Sequence, residues 1–128
     1  MISDQKEKYN MDIKSYKDLI VWQKSIDLVI LIYELTKLLP EDEKFGLSSQ
    51  MRRAAISIPS NIAEGQQRKS SKDFMHFLSI ARGSKGELQT QLYISYKLNL
   101  LSKQQVEPSM ALLSEIGKMI SKLMASLN

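Results

Sequence analysis

The sequence predicts an all-α domain, an up-down-up-down four-helix bundle, and three observations predict it. Apolar residues recur at helical spacing in four separate stretches. No segment sustains the two-residue alternation of a half-buried strand. The connections between stretches are a few residues long, which favours antiparallel neighbours. A chain of 128 residues is one domain by size, with enough length for a single core. Residues 1–15 have no periodicity and read as a flexible tail, leaving 16–128 as the bundle domain.

The first helix is expected from about Tyr16 to Leu39, where Pro40 forces the preceding residue out of the α region. Trp22, Ile26, Val29, Ile30 and Tyr33 share one face, which reads as its core face. The second spans about Asp42 to Glu64, with Leu47, Met51, Ala54, Ile58 and Ile62 in unbroken apolar register. Pro59 sits inside that register and crowds the carbonyl of Ala55, so one bent helix is expected rather than two. Gly65 is placed to stop it as a left-handed C-terminal cap.

The third helix begins at Ser70, an N-cap with Asp73 as a short capping-box partner, and runs to about Leu100. Phe74, Phe77, Leu78, Ala81, the stem of Lys85, Leu88, Leu92 and Tyr96 trace its buried face. Gly83 and Gly86 each cost up to about 1 kcal/mol against alanine, so another helix backbone is expected close by. The fourth helix is expected from about Glu107, with Pro108 in its first turn and Leu113, Ile116, Ile120, Leu123 and Leu127 on its core face.

The first helix carries a second apolar stripe, Val21, Leu28, Ile32 and Leu35, opposite the Trp22 face. A helix apolar on two sides must bury both. The tail or the fourth helix could cover the extra stripe; an oligomer interface is the sharper reading, and it predicts a homo-oligomer. Beside the core runs a polar ridge on the second helix, Gln50, Arg53, Ser57, Asn61 and Glu64. A shorter one on the third holds Ser84, Glu87 and Gln91. Folding the two helices together predicts an Arg53–Glu87 ion pair within a structural polar network that fixes helix register.

Composition excludes several functions. There is no cysteine, hence no disulfide or thiolate metal site, and a reducing, cytoplasmic setting fits. The polar N-terminus lacks the apolar core of a secretory signal, and the most apolar stretch, Leu19 to Leu39, is interrupted by charges that argue against a membrane span. His76 stands alone without a partner at metal spacing, and no phosphate-binding loop, dinucleotide turn or nucleophile–base pair is present. No enzyme, cofactor or metal is expected. Two carboxylates, Glu64 and Glu87, do not make an acid–base site without a pocket.

Three motifs carry a resemblance: "YKDLIVWQKSIDL", "RRAAISIPSNIAEG" and "FLSIARGSKGEL". Across 16–125 the chain resembles the small four-helix-bundle proteins encoded in intervening sequences of bacterial 23S ribosomal RNA genes. The signature positions are Gln50, Arg52, Arg53, Ser57, Asn61, Glu64, Gly65, Ser84 and Glu87. The resemblance implies a left-handed bundle assembling as a homo-oligomeric ring, a pentamer. It is also similar to the accessory variability proteins of diversity-generating retroelements, which implies nucleic acid and a reverse transcriptase as partners.

The charge is local. Residues 66–101 hold six basic side chains, Arg68, Lys69, Lys72, Arg82, Lys85 and Lys97, against two acidic ones. Three of the six stand at the start of the third helix, where cations oppose the helix dipole but suit a phosphate. Arg68, Lys69, Lys72, Arg82 and Lys85 are therefore the candidate RNA- or DNA-binding residues; ordinary solvated lysines are the competing reading. Two functions stay open: an oligomer binding nucleic acid through a basic rim, and a protein–protein scaffold whose charge is incidental. No aromatic interleaves with the basic cluster, and Tyr93 and Tyr96 read as core or interface.

Overall fold

A computed structural model describes residues 15–128, so the expected tail, 1–15, lies outside the described residues except for Ser15. Within them are four helices and no strand: α1 (Ile20–Thr36), α2 (Leu47–Gln66), α3 (Ser71–Lys97) and α4 (Lys103–Ser126). α1 packs on α2 and α4, and α3 packs on α2 and α4, closing a four-helix bundle around one core. Leu28 and Ile32 of α1, Met51, Ile58 and Ile62 of α2, Phe74, Leu78, Leu88 and Leu92 of α3, and Leu113, Ile116 and Ile120 of α4 are fully enclosed. Each such side chain contributes roughly 1.5–3 kcal/mol by leaving water.

Helix ends differ from the expectations where local capping overrides the apolar pattern. Ser15 and Asp18 form a capping box around a 3-10 turn, Tyr16–Asp18, and Leu19 is extended, so α1 starts at Ile20. A second 3-10 turn, Glu41–Glu43, precedes α2, and the Glu43 carboxylate accepts from the amide of Leu47 at 3.2 Å. Ser70 caps α3 as expected, accepting from the Asp73 amide at 3.1 Å. α4 starts at Lys103, four residues before the expected Glu107. Ser102 and Gln105 form a full capping box there, with bonds of 3.0 and 2.8 Å. Pro108 consequently lies inside α4 rather than in its first turn.

The two faces of α1 are reversed relative to the expectation. Val21, Leu28, Ile32 and Leu35, expected as an oligomer interface, are buried within the single chain. Ser25 and Thr36 share that inner side, and their hydroxyls are neutralised by donating to the carbonyls of Val21 (2.6 Å) and Ile32 (2.8 Å). Trp22, Ile26, Val29 and Tyr33, expected in the core, are only half-buried, and Ile30 is exposed. Apolar periodicity marks both stripes equally; which one turns inward is decided by the neighbours. Tyr93 and Tyr96, expected as core or interface, are exposed, which removes them from the core.

The glycines also differ. Gly65 is helical rather than left-handed, and α2 runs through Pro59 without interruption to Gln66. Its lack of a side chain serves packing: a Cβ there would sit 2.8 Å from Phe77 Cβ and 2.9 Å from Phe74 Cδ1. Gly83 and Gly86, expected under another backbone, face open space. Gly117 of α4 makes room for Lys85, whose Cε would lie 2.6 Å from an added Cβ.

Opposite signs follow for two alanine substitutions. Gly65→Ala overpacks the α2–α3 contact and is expected to destabilise by about 1–3 kcal/mol. Gly83→Ala meets no neighbour and is expected to stabilise by up to about 1 kcal/mol. Urea denaturation followed by circular dichroism separates the two; equal signs would contradict the packing described.

Candidate functional site

The α2–α3 pair positions most of the polar signature residues. The Ser57 and Ser84 hydroxyls share a hydrogen bond of 2.7 Å between the two helices. Asn61 Nδ2 donates to the Ser57 carbonyl at 2.8 Å and to the Ser57 hydroxyl at 3.0 Å. Three residues of the expected network are thus joined. Glu64 is not: its carboxylate lies 3.4 Å from Arg68, one turn on.

One to two turns from Ser57 toward the start of α2, the same seam opens into a groove of about 640 Å³ lined by Gln50, Arg53, Glu87, Thr90, Gln91 and Ile94. Arg53 and Glu87 face this groove together but form no ion pair, contrary to the expected bridge. Both are exposed, where a pair of opposite charges gains little over separate hydration. Gln91 is only 7% exposed, and its Oε1 is buried with no hydrogen-bond partner.

Arg52, adjacent in sequence to Arg53, turns the other way. Its Nε donates to Thr36 Oγ1 at 2.8 Å, and its guanidinium stacks 4.4 Å from the Tyr33 ring centre, tying α2 to α1. Arg53 borders this α1–α2 cleft as well as the groove, whereas Arg52 is committed to α1.

The five candidate nucleic-acid-binding residues do not form one cluster in the protomer. Arg68, Lys69 and Lys72 stand together and exposed at the α2–α3 connection, with Arg68 also lying over the Phe77 ring at 4.8 Å. Arg82 is exposed, about 15 Å along α3 from Lys72 by helical rise. Lys85 is half-buried, with its stem against Gly117 of α4.

The outer face of α1 continues onto α2. Tyr16, Trp22, Ile26 and Val29 line a shallow cleft with Ile56, Pro59 and Ala63, and Trp22 meets Tyr16 edge-on at 5.2 Å. Beyond the far end of α1, Phe45 is 89% exposed. The outward stripe of α1 is legible as apolar, but its pattern does not distinguish it from a core face, and nothing in the local sequence of Phe45 signals its exposure.

No group of His, Cys, Asp and Glu able to hold a metal occurs among the described residues, and no described helix is long and apolar enough to cross a membrane. The fold and these surfaces define a small helical bundle with a polar seam, an apolar outer face and a basic corner. The chain belongs to the family of 23S rRNA-intervening sequence proteins, whose match spans residues 17–122. It is similar to a crystallised protein of unknown function from the S23 ribosomal protein family of Bacteroides thetaiotaomicron VPI-5482. The two are 29% identical with a TM-score of 0.77, over 82% of this chain and 98% of that one. No curated protein sequence matches the chain significantly.

The Ser57–Ser84 bond locks α2 to α3, so the two residues should be energetically coupled. A double-mutant cycle of Ser57→Ala and Ser84→Ala, read by thermal denaturation, is expected to give about 1 kcal/mol of coupling. Strict additivity would show that the bond contributes nothing to register.

Proposed function

We propose that the protein is a non-enzymatic bundle that self-associates through the outer α1–α2 face and presents basic corners to RNA. The observation that carries this reading is the continuity of the half-exposed Trp22, Ile26, Val29 and Ile56 surface across two helices. Contiguous apolar surface of this kind marks association sites. The interface therefore moves to the opposite side of α1 from the Val21 stripe, while the homo-oligomer reading itself is retained. Family resemblance supports a ring of five left-handed, up-down-up-down bundles, and the absence of cysteine fits a cytoplasmic setting.

The basic corner gains from such an assembly. Arg68 follows Ala63 of the apolar cleft by five residues, so copies joined along this face bring their Lys69 and Lys72 side chains toward one edge. A repeated cationic edge contacts a polyanion at several phosphates, each adding to the salt dependence of binding. A scaffold for a protein partner, such as a reverse transcriptase, is the second reading. It is favoured by exposed apolar residues distant in sequence from the basic corner, Tyr93, Ile94 and Leu98.

Light scattering should give a mass several times the 14.6 kDa of one chain, and Val29→Glu with Ile56→Glu should return it to the protomer while helicity is kept. A single-chain mass for the unaltered protein at micromolar concentration would remove the assembly. RNA affinity measured across a salt series should fall with added salt. Lys69→Ala with Lys72→Ala should flatten that slope by roughly 1.4, about 0.7 per lost phosphate contact on a single strand. An unchanged slope would take the corner out of the interface.

A further inference from the structure

The groove between α2 and α3 has a composition that neither the packing of the bundle nor the basic corner explains. Arg53 of α2 and Glu87 of α3 line one open groove without pairing. Gln91 follows Glu87 by four residues and so lies on the same face of α3. Its carboxamide is almost wholly enclosed, and its oxygen meets no donor. A buried acceptor left unsatisfied costs about 1–3 kcal/mol, which a ligand donor would recover.

A ligand that completes this groove must offer adjacent donors to α3 and adjacent acceptors to α2. We propose that the groove between α2 and α3 binds a guanine base, with Glu87 and Gln91 reading its donor edge and Arg53 its acceptor edge. Guanine carries N1–H beside an N2 amino group, so the two oxygens of Glu87 accept one hydrogen from each. The second amino hydrogen points toward Gln91, whose enclosed oxygen must swing out into the groove to accept it. On the other side of the ring, O6 and N7 accept two parallel bonds from Arg53, the commonest specific arginine–base pairing.

The other bases fail on the same chemistry. Adenine presents an amino group beside the N1 acceptor, which faces a carboxylate oxygen lone pair to lone pair. Uracil flanks its one N–H with two carbonyls, and cytosine sets its amino group beside an acceptor nitrogen. Ile94 supplies an apolar wall for the base, and a volume of about 640 Å³ admits a nucleotide with water to spare. The guanine could come from a free nucleotide or from a single-stranded RNA. Only the second source rests on the RNA-binding reading above.

Calorimetric titration with GMP, AMP, CMP and UMP tests the first source. Anisotropy of labelled octauridine, with and without one central guanine, tests the second. The expected result is a preference for guanine of tenfold or more in at least one arm, abolished by Glu87→Gln, which turns an amide N–H₂ toward the donor edge. Arg53→Met should abolish it too. Both residues are exposed, so neither change threatens the fold, and circular dichroism checks this. Lys69→Ala with Lys72→Ala should weaken both oligonucleotides equally and leave GMP untouched. GMP binding without RNA binding keeps the groove and overturns the basic corner. RNA binding with no guanine preference in either arm keeps the corner and overturns the groove. A guanine preference that survives Glu87→Gln, or no guanine preference in either arm, overturns the groove outright.

Discussion

The close approach of α2 to α3 is the constraint on which the rest of this structure depends. Gly65 has no side chain because Phe74 and Phe77 occupy the space one would need. That contact brings the C-terminal end of α2 directly onto the start of α3. The Ser57–Ser84 hydrogen bond then fixes the sliding position of the two helices farther along. With both points pinned, Arg53 and Glu87 come to one groove, and Arg68, Lys69 and Lys72 are held at the connecting turn. The surfaces of interest are therefore consequences of one helix pair rather than separate inventions. α1 and α4 supply the remaining walls of the core, with Lys24 and Glu115 joined across their outer edge at 2.9 Å. That exposed pair adds little to stability.

Much of the architecture was legible in the sequence because helical periodicity is strong in all four segments. The core residues of α2 and α4 follow directly from it. The faces of α1 did not, for a physical reason. A helix with apolar residues on two sides gives no sign in its own sequence of which side its neighbours cover, and Trp22 draws the assignment by its size. Ser25 and Thr36 obscured the true inner face, since a hydroxyl that bonds back to its own helix is compatible with full burial but looks polar in a pattern. The start of α4 was available in "SKQQ", a serine with a glutamine three residues on, yet Pro108 offered a competing start signal.

The candidate site was legible in part. The polar ridges on α2 and α3 do converge, but Ser84 meets Ser57, one turn from the Arg53 that spacing set beside it. Spacing does not reveal which charges pair. Glu64 is drawn to Arg68 within its own helix end, and Arg53 and Glu87 stay apart, because side-chain reach and hydration decide such contacts rather than backbone register. The burial of Gln91 was equally hidden, because a glutamine on a polar ridge normally faces water. Lys85 shows the reverse, a cation whose aliphatic stem serves packing against Gly117.

The open space around Gly83 and Gly86 has a dynamic consequence. Two glycines in the middle of the 27-residue α3 weaken its backbone by about 2 kcal/mol relative to alanine, with no neighbouring chain to offset the loss. Transient unwinding of this turn is thus favoured by a factor of roughly thirty over an all-alanine equivalent. Amide hydrogens there should exchange with solvent sooner than those in the turns on either side, which are anchored by Leu78 and Leu92. The longest rod in the molecule is built with a soft joint at its centre, braced on one side by the bond from Ser84 to Ser57.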